Sequence, residues 1–161
     1  RFAFINILQK EKEKVMKELE LTFPGGYKTK TKINGFEIIT DYPVDLGGNN
    51  EFPKPWDLFL STVTSCHGVH VVGWCIENNV PYEDIKITLE IIEDPNQVGK
   101  FTDFIIEDNL PESFPRERIQ EMLEEATADC WINRHLTEYE VHVTYSIKHA
   151  SGETIKIVKG K

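Results

Sequence analysis

Cysteine and histidine are the side chains best suited to nucleophilic, redox or metal chemistry, and in this chain most of them crowd two short stretches. The first stretch holds Cys66, His67, His70 and Cys75; the second holds Cys130 and His135. Cys66 and His70 are four residues apart, so a helix would place them on one face. An imidazole beside a thiol lowers its pKa, and the thiolate is the reactive form. Small or polar neighbours (Thr62, Ser65, Gly68) surround Cys66. Cys75, nine residues further on, would point to the opposite side of that helix, about 13 Å along its axis, too far for a bridge. It lies among Val72, Trp74 and Ile76 and reads as a plain buried cysteine. Three readings of Cys66 stay open on the residues alone: a structural thiol, a nucleophile, or a metal ligand. A metal would need Cys66 and His70 together, with Cys130 or His135 completing the set. His67 diverges by about 100° from its neighbour on a helix and joins such a set poorly. No metal and no cofactor are expected. His142 and His149, with no carboxylate or cysteine arranged around them, are expected at the surface.

The element that must position Cys66 runs from Pro55 to Asn79, PWDLFLSTVTSCHGVHVVGWCIENN. Pro55 suits a first helical turn, and Asn78-Asn79 before Val80-Pro81 suits an exit. No charged residue falls between Asp57 and Glu77. Its length is that of a membrane span, but the serines, threonines and histidines in its middle point to a helix buried in a soluble protein. The chain before it reads as an arm with a short amphipathic helix in residues 1–18 and then three strands from Leu19. Leu21 and Phe23 alternate with polar residues, KTKTKI carries alternate lysines that suit an exposed edge or face, and Asn34-Gly35 signals a hairpin into FEIIT. DYPVDLGGNNEFPK has the composition of a loop.

After the central helix, IKITLEII places Ile85, Ile87, Leu89 and Ile91 on one strand face, and FTDFIIED follows as a second strand. Ser113 is a candidate cap for a second helix with Pro115 in its first turn. Ile119, Met122, Leu123, Ala126 and Cys130 form its apolar stripe. An irregular WINRHLTE leads to two final strands, EYEVHVTYSIK and ETIKIVK. Strands and helices arranged in blocks favour an α+β fold with antiparallel sheets, here a single domain over residues 19–161.

With 161 residues, 40% hydrophobic and 28% charged, the chain has a globular composition. A net charge of −9 disfavours nucleic acid and anionic membrane as partners. Three cysteines without a CxxC indicate neither a disulfide scaffold nor a zinc knuckle. A cytoplasmic setting is expected, which leaves free thiols available for chemistry. The sequence starts without Met, so its natural start is left open.

Gly47-Gly48, then Pro55-x-x-Leu58-Phe59, then Ser65-Cys66 resembles the OsmC/Ohr family of hydroperoxide-resistance proteins, in which the cysteine follows the helix-opening proline by eleven residues. Cys130-x-x-x-Arg134-x-Leu136 resembles the family's second cysteine motif. The likeness covers roughly residues 17–148. It implies an intertwined homodimer in which antiparallel sheets wrap two central buried helices. It also implies a thiol peroxidase for organic hydroperoxides, with Cys66 attacking, Cys130 resolving and an external dithiol as reductant. Family peroxidases carry a glutamate after the proline and an arginine after a Gly-Gly in the first hairpin; here those places hold Trp56 and Tyr27, and Trp131 replaces a proline after the second cysteine. These departures fit a divergent branch. Supporting charge is then sought in His70, Arg134, Lys28 or Lys30, and an acid in Glu51 or Asp57. The rival readings are a dimer that binds a small apolar ligand beside Cys66 without peroxidase activity, and a metal-binding protein.

Overall fold

A computed structural model describes residues 19–128, 130–138 and 142–159. The expected arm and helix of residues 1–18 lie outside the described residues. The chain divides into two compact units at Leu58/Phe59.

The first unit holds a three-stranded antiparallel sheet in the order β1 (Leu19–Gly25), β2 (Lys28–Ile33), β3 (Phe36–Thr40). Asn34 and Gly35 both adopt positive φ, 47° and 85°, as a two-residue hairpin turn of the twist-matched type requires. The lysine-rich strand is the central one of the three, so its lysines mark a face and not an edge. Lys30 reaches Glu37 across the pair at 2.9 Å. The register places Leu19 opposite Ile33 and Ile33 opposite Phe36, with Leu21 and Ile38 both opposite Thr31. Cross-strand partners share a face, so Leu19, Leu21, Ile33, Phe36 and Ile38 form one apolar side, and all but Ile33 are exposed in the single chain.

The loop that follows contains a short 3-10 turn, Val44–Leu46. Buried Asp41 organises it by accepting hydrogen bonds from the backbone N–H groups of Tyr42, Asn49 and Glu51 at 2.8, 3.1 and 3.2 Å. Gly47 takes φ 89°, and a Cβ on Gly48 would overlap the Tyr42 carbonyl. The paired glycines are therefore a packing requirement of this loop.

Helix α1 (Pro55–Glu77) begins in the first unit and runs through the second. Its start follows the expected rule: Pro55 occupies the first turn, and the Asp57 carboxylate accepts the Lys54 N–H at 3.1 Å. Asn79 ends it with φ 55°. By length and composition the helix could cross a membrane. In the single chain its buried residues are Val63, His67, Val71, Trp74 and Cys75, which fall on one stripe. Val69 and Ile76 on other faces are more than half exposed.

The second unit adds a four-stranded sheet in the order β4 (Lys86–Glu93), β5 (Phe101–Leu110), β6 (His142–His149), β7 (Thr154–Lys159). Two of its pairs are antiparallel as expected, but β5 and β6 run parallel. A parallel pair needs a long crossover, and the two helices between these strands supply it. The first, α2 (Ile119–Ala128), follows a 3-10 turn at Arg116–Arg118. Pro115, not Ser113, occupies the cap position, and no side chain bonds the cap. Its stripe is as read from the spacing as far as Ala126, with Ile119, Met122, Leu123 and Ala126 all buried, but Cys130, expected at its end, lies beyond the helix.

The segment expected to be irregular is a helix, α3 (Trp131–Glu138). Ile132 and Leu136, one turn apart, pack on the core and hold it there. Eight residues are too few for local propensity to fix a helix; the packing does so. The core joins Val63, Val71, Trp74 and Cys75 of α1 to Ile106 and Leu110 of β5, Phe114, the α2 stripe and Ile147. His149, expected at the surface, is buried, with Nδ1 at 2.8 Å from the Ser151 hydroxyl and Nε2 at 3.2 Å from the Phe114 carbonyl. Its strand position alternates inward, which satisfied polar contacts permit.

Candidate thiol site

Cys66 lies one helical turn before His70 on α1, as the i, i+4 spacing requires. Cys130 is not on a helix. It occupies the break between α2 and α3, just beyond the end of the buried stripe that carries the chain inward. The crossover brings it back to α1, and its sulfur comes within 3.1 Å of the Cys66 sulfur. Both are free thiols. Cys66 is half-buried and Cys130 is 1% exposed. The two sulfurs and a ring nitrogen of His70 all lie within 4.8 Å of one another.

The electrostatics separate the three cysteines. The Cys130 thiol donates to the Cys66 sulfur, which holds Cys66 well below the ordinary thiol range, at about 4. Burial opposes that shift, while hydrogen bonds from His70 and the Ile132 backbone and the charge of His70 add to it. The same contact and burial push Cys130 strongly upward, against hydrogen bonds from the Asn133 and Ile132 backbone. Two sulfurs in contact titrate as a pair: the first proton leaves easily, and the second is retained as the donor. The Asn133 N–H meets the Cys130 sulfur at 3.5 Å. Cys75 has no such help. Burial first, and the Asp108 charge second, push its thiol up to about 11.

The other sequence candidates are placed as follows. His67, beside Cys66, turns away into the core, where Nε2 lies 3.0 and 2.8 Å from the two oxygens of Asp108. His135 is exposed, its Nδ1 bonded to the Trp131 carbonyl at 2.8 Å. Arg134 is exposed on α3. Glu51 pairs with Lys28 at 2.6 Å, and Asp57 holds the start of α1; both belong to the first unit. Among the described residues, His70 is the histidine or carboxylate that clusters with the two thiols. Of the cations in which supporting charge was sought, His70 acts on Cys66, but the Cys130 S–H lowers its pKa more. The backbone donors at Ile132 and Asn133 were not legible, since backbone direction carries no residue signal. The His67–Asp108 pair had a faint one, a carboxylate within the apolar run FIIED.

Solved structures resemble this chain over most of its length. A putative osmotic stress induced and detoxification response protein from Psychrobacter arcticus has a TM-score of 0.66 at 16% identity, covering 84% of this chain and 96% of that one. A putative organic hydroperoxide resistance protein from Vibrio cholerae, with captopril bound in one of its active sites, has a TM-score of 0.59 at 16% identity, covering 89% and 98%. An organic hydroperoxide resistance protein from Elizabethkingia anophelis has a TM-score of 0.58 at 20% identity, covering 84% and 99%. At these identities the likeness establishes the fold. No curated protein sequence matches the chain. The family model described as OsmC-like protein matches residues 47–146, a span that includes both cysteine motifs. The α+β chain, with its long cysteine-bearing helix and its second thiol, belongs to the OsmC-like family.

Proposed function

We propose that this chain is a thiol-dependent peroxidase for organic hydroperoxides, with Cys66 as the attacking thiol and Cys130 as the resolving one. The observation that carries the reading is the 3.1 Å approach of two free thiols, one ionised easily and the other kept protonated beside it. The Cys66 thiolate attacks the terminal oxygen of ROOH, the O–O bond breaks, and the alkoxide leaves as ROH after taking a proton. Cys66 is left as a sulfenic acid. The Cys130 sulfur then displaces its hydroxyl as water, and a disulfide forms. An external dithiol restores both thiols. The 3.1 Å separation requires only about a further 1 Å of approach to reach the bond length of a disulfide.

The protein is proposed to act in a reducing, cytoplasmic setting as a homodimer. The support for the dimer is the exposed apolar side of the first sheet and the partly exposed central helix.

The test is consumption of cumene hydroperoxide with dithiothreitol in excess. Wild type should turn over and Cys66→Ser should be inactive; with the dithiothreitol removed, Cys130→Ser should complete one oxidation without forming the intramolecular disulfide. No oxidation of fully reduced wild type would favour the alternative, an OsmC-like dimer that binds a small apolar ligand beside Cys66.

A further inference from the structure

Cys66, His70 and Cys130 have a second chemical capacity, independent of peroxide. Two sulfurs and one imidazole nitrogen within 4.8 Å of one another are a ligand set for a thiophilic ion. In a tetrahedral zinc site with bonds of about 2.3 Å to sulfur and about 2.0–2.1 Å to nitrogen, ligand atoms stand roughly 3.5–3.8 Å apart. The thiols, at 3.1 Å, are closer than that by about 0.7 Å, and a small rotation of either side chain supplies the difference. His70 is carried on the same helix face as Cys66. Cys130 is anchored independently, by its place between α2 and α3. The sulfurs also receive backbone N–H donors from Ile132 and Asn133, the outer-shell partners typical of bound thiolates. His67, the ligand that the spacing disfavoured, is engaged elsewhere with Asp108.

We infer that the reduced protein binds one zinc ion per chain through Cys66, His70 and Cys130, leaving a fourth position open to water or a small ligand. Binding replaces the remaining thiol protons with the metal. Oxidation of the pair removes two of the three ligands. An organic hydroperoxide takes up two electrons and two protons to give alcohol and water, the sulfurs join as a disulfide, and the zinc ion leaves unchanged. Zinc occupancy and disulfide formation therefore exclude each other.

The test uses the full chain, reduced and stripped with a chelator, then titrated with Co²⁺ as a spectroscopic stand-in and with Zn²⁺ against a chromophoric chelator. One ion per chain should bind, with the intense visible bands of tetrahedral cobalt and sulfur-to-cobalt charge transfer. Cys66→Ser, Cys130→Ser and His70→Ala should each lose affinity by more than the roughly 10–100-fold that loss of an outer-shell partner brings. Cys75→Ser should bind as wild type does. Protein oxidised with diamide should bind no ion until dithiothreitol is added and removed. Circular dichroism of each variant separates lost ligation from lost folding. Absence of the charge-transfer band in fully reduced protein would overturn the assignment. So would unchanged affinity in His70→Ala, or binding that survives Cys66→Ser/Cys130→Ser. Because the readout is metal binding and not turnover, it can fail while the peroxidase reading stands, and the reverse.

Discussion

His67 and Asp108 are joined inside the core, with the imidazole Nε2 2.8 Å from the nearer carboxylate oxygen and both side chains almost wholly buried. The pair ties the turn of α1 beside Cys66 to strand β5. That turn faces the core on one side and carries Cys66 on another, so its rotation about the helix axis bears on where Cys66 points. Asp108→Ala would take the carboxylate away from a buried imidazole. A loss of about 3 kcal/mol is expected, read as a lowered urea midpoint at fixed protein concentration. A shift worth less than about 0.5 kcal/mol, the range of ordinary surface changes, would show that the pair does not hold the fold.

Cys66 and Cys75 sit on one helix but should differ widely in reactivity. At pH 7 only about one Cys75 in ten thousand is ionised if its pKa is near 11. Cys66, with its pKa depressed, stays ionised below the free-thiol value of about 8.5 and loses that advantage only as pH falls through its own pKa. Iodoacetamide labelling followed by peptide mapping should modify Cys66 first, at a rate nearly constant from pH 8 to pH 6. A rate falling tenfold per pH unit across that range would mean that the thiol is not ionised, and Cys75 modified first would reverse the assignment.

Gly48→Ala should damage the loop before α1 more than a half-buried position suggests. The new Cβ meets the Tyr42 carbonyl, backbone that cannot swing aside. The loop also hangs on three N–H bonds to Asp41, so any shift there disturbs them together. Limited proteolysis should cut the variant between Tyr42 and Pro53 faster than wild type; equal protection would show that the loop absorbs the methyl group.

The elements legible in the sequence were those with strong local signals. Asn34-Gly35 fixed a hairpin, Pro55 a helix start, and the Ile119–Ala126 stripe a buried helix face. What was not legible depends on contacts distant in the chain. The α3 helix forms because Ile132 and Leu136 dock on the core. The β5–β6 pair is parallel because two helices intervene. His149 turns inward because Ser151 and the Phe114 carbonyl satisfy it. At the candidate site, the i, i+4 spacing of Cys66 and His70 was readable, whereas the arrival of Cys130 came from the family likeness and not from spacing.

In solution the chain should be dimeric. Leu19, Leu21, Phe36 and Ile38 share an uncovered sheet face, and Phe23 is 75% exposed. Val69 and Ile76 likewise remain open on a helix with no charged residue between Asp57 and Glu77. Exposed apolar surface of this kind marks an association site, and a stable dimer should bury more than roughly 2,000 Å² in total. Light scattering at micromolar concentration should give twice the chain mass of 18.6 kDa. A stable monomer would end the proposal.

The final prediction separates two donors at Cys66. The Cys130 S–H lowers its pKa more than His70 does, so removing each in turn reads how much thiolate each one secures. Stopped-flow oxidation to the sulfenic acid, trapped with dimedone, isolates the attack on peroxide from resolution by Cys130. At pH 6, Cys130→Ala should slow it by more than His70→Ala, because below a thiol's pKa each unit of upward shift removes about tenfold of the thiolate. At pH 9 both variants should approach the wild-type rate, since a thiol with a restored pKa near 8.5 ionises there unaided. Coinciding pH profiles for wild type and Cys130→Ala would show that the second thiol does not activate the first. A larger effect from His70→Ala at pH 6 would return the histidine to the leading role that its spacing suggests.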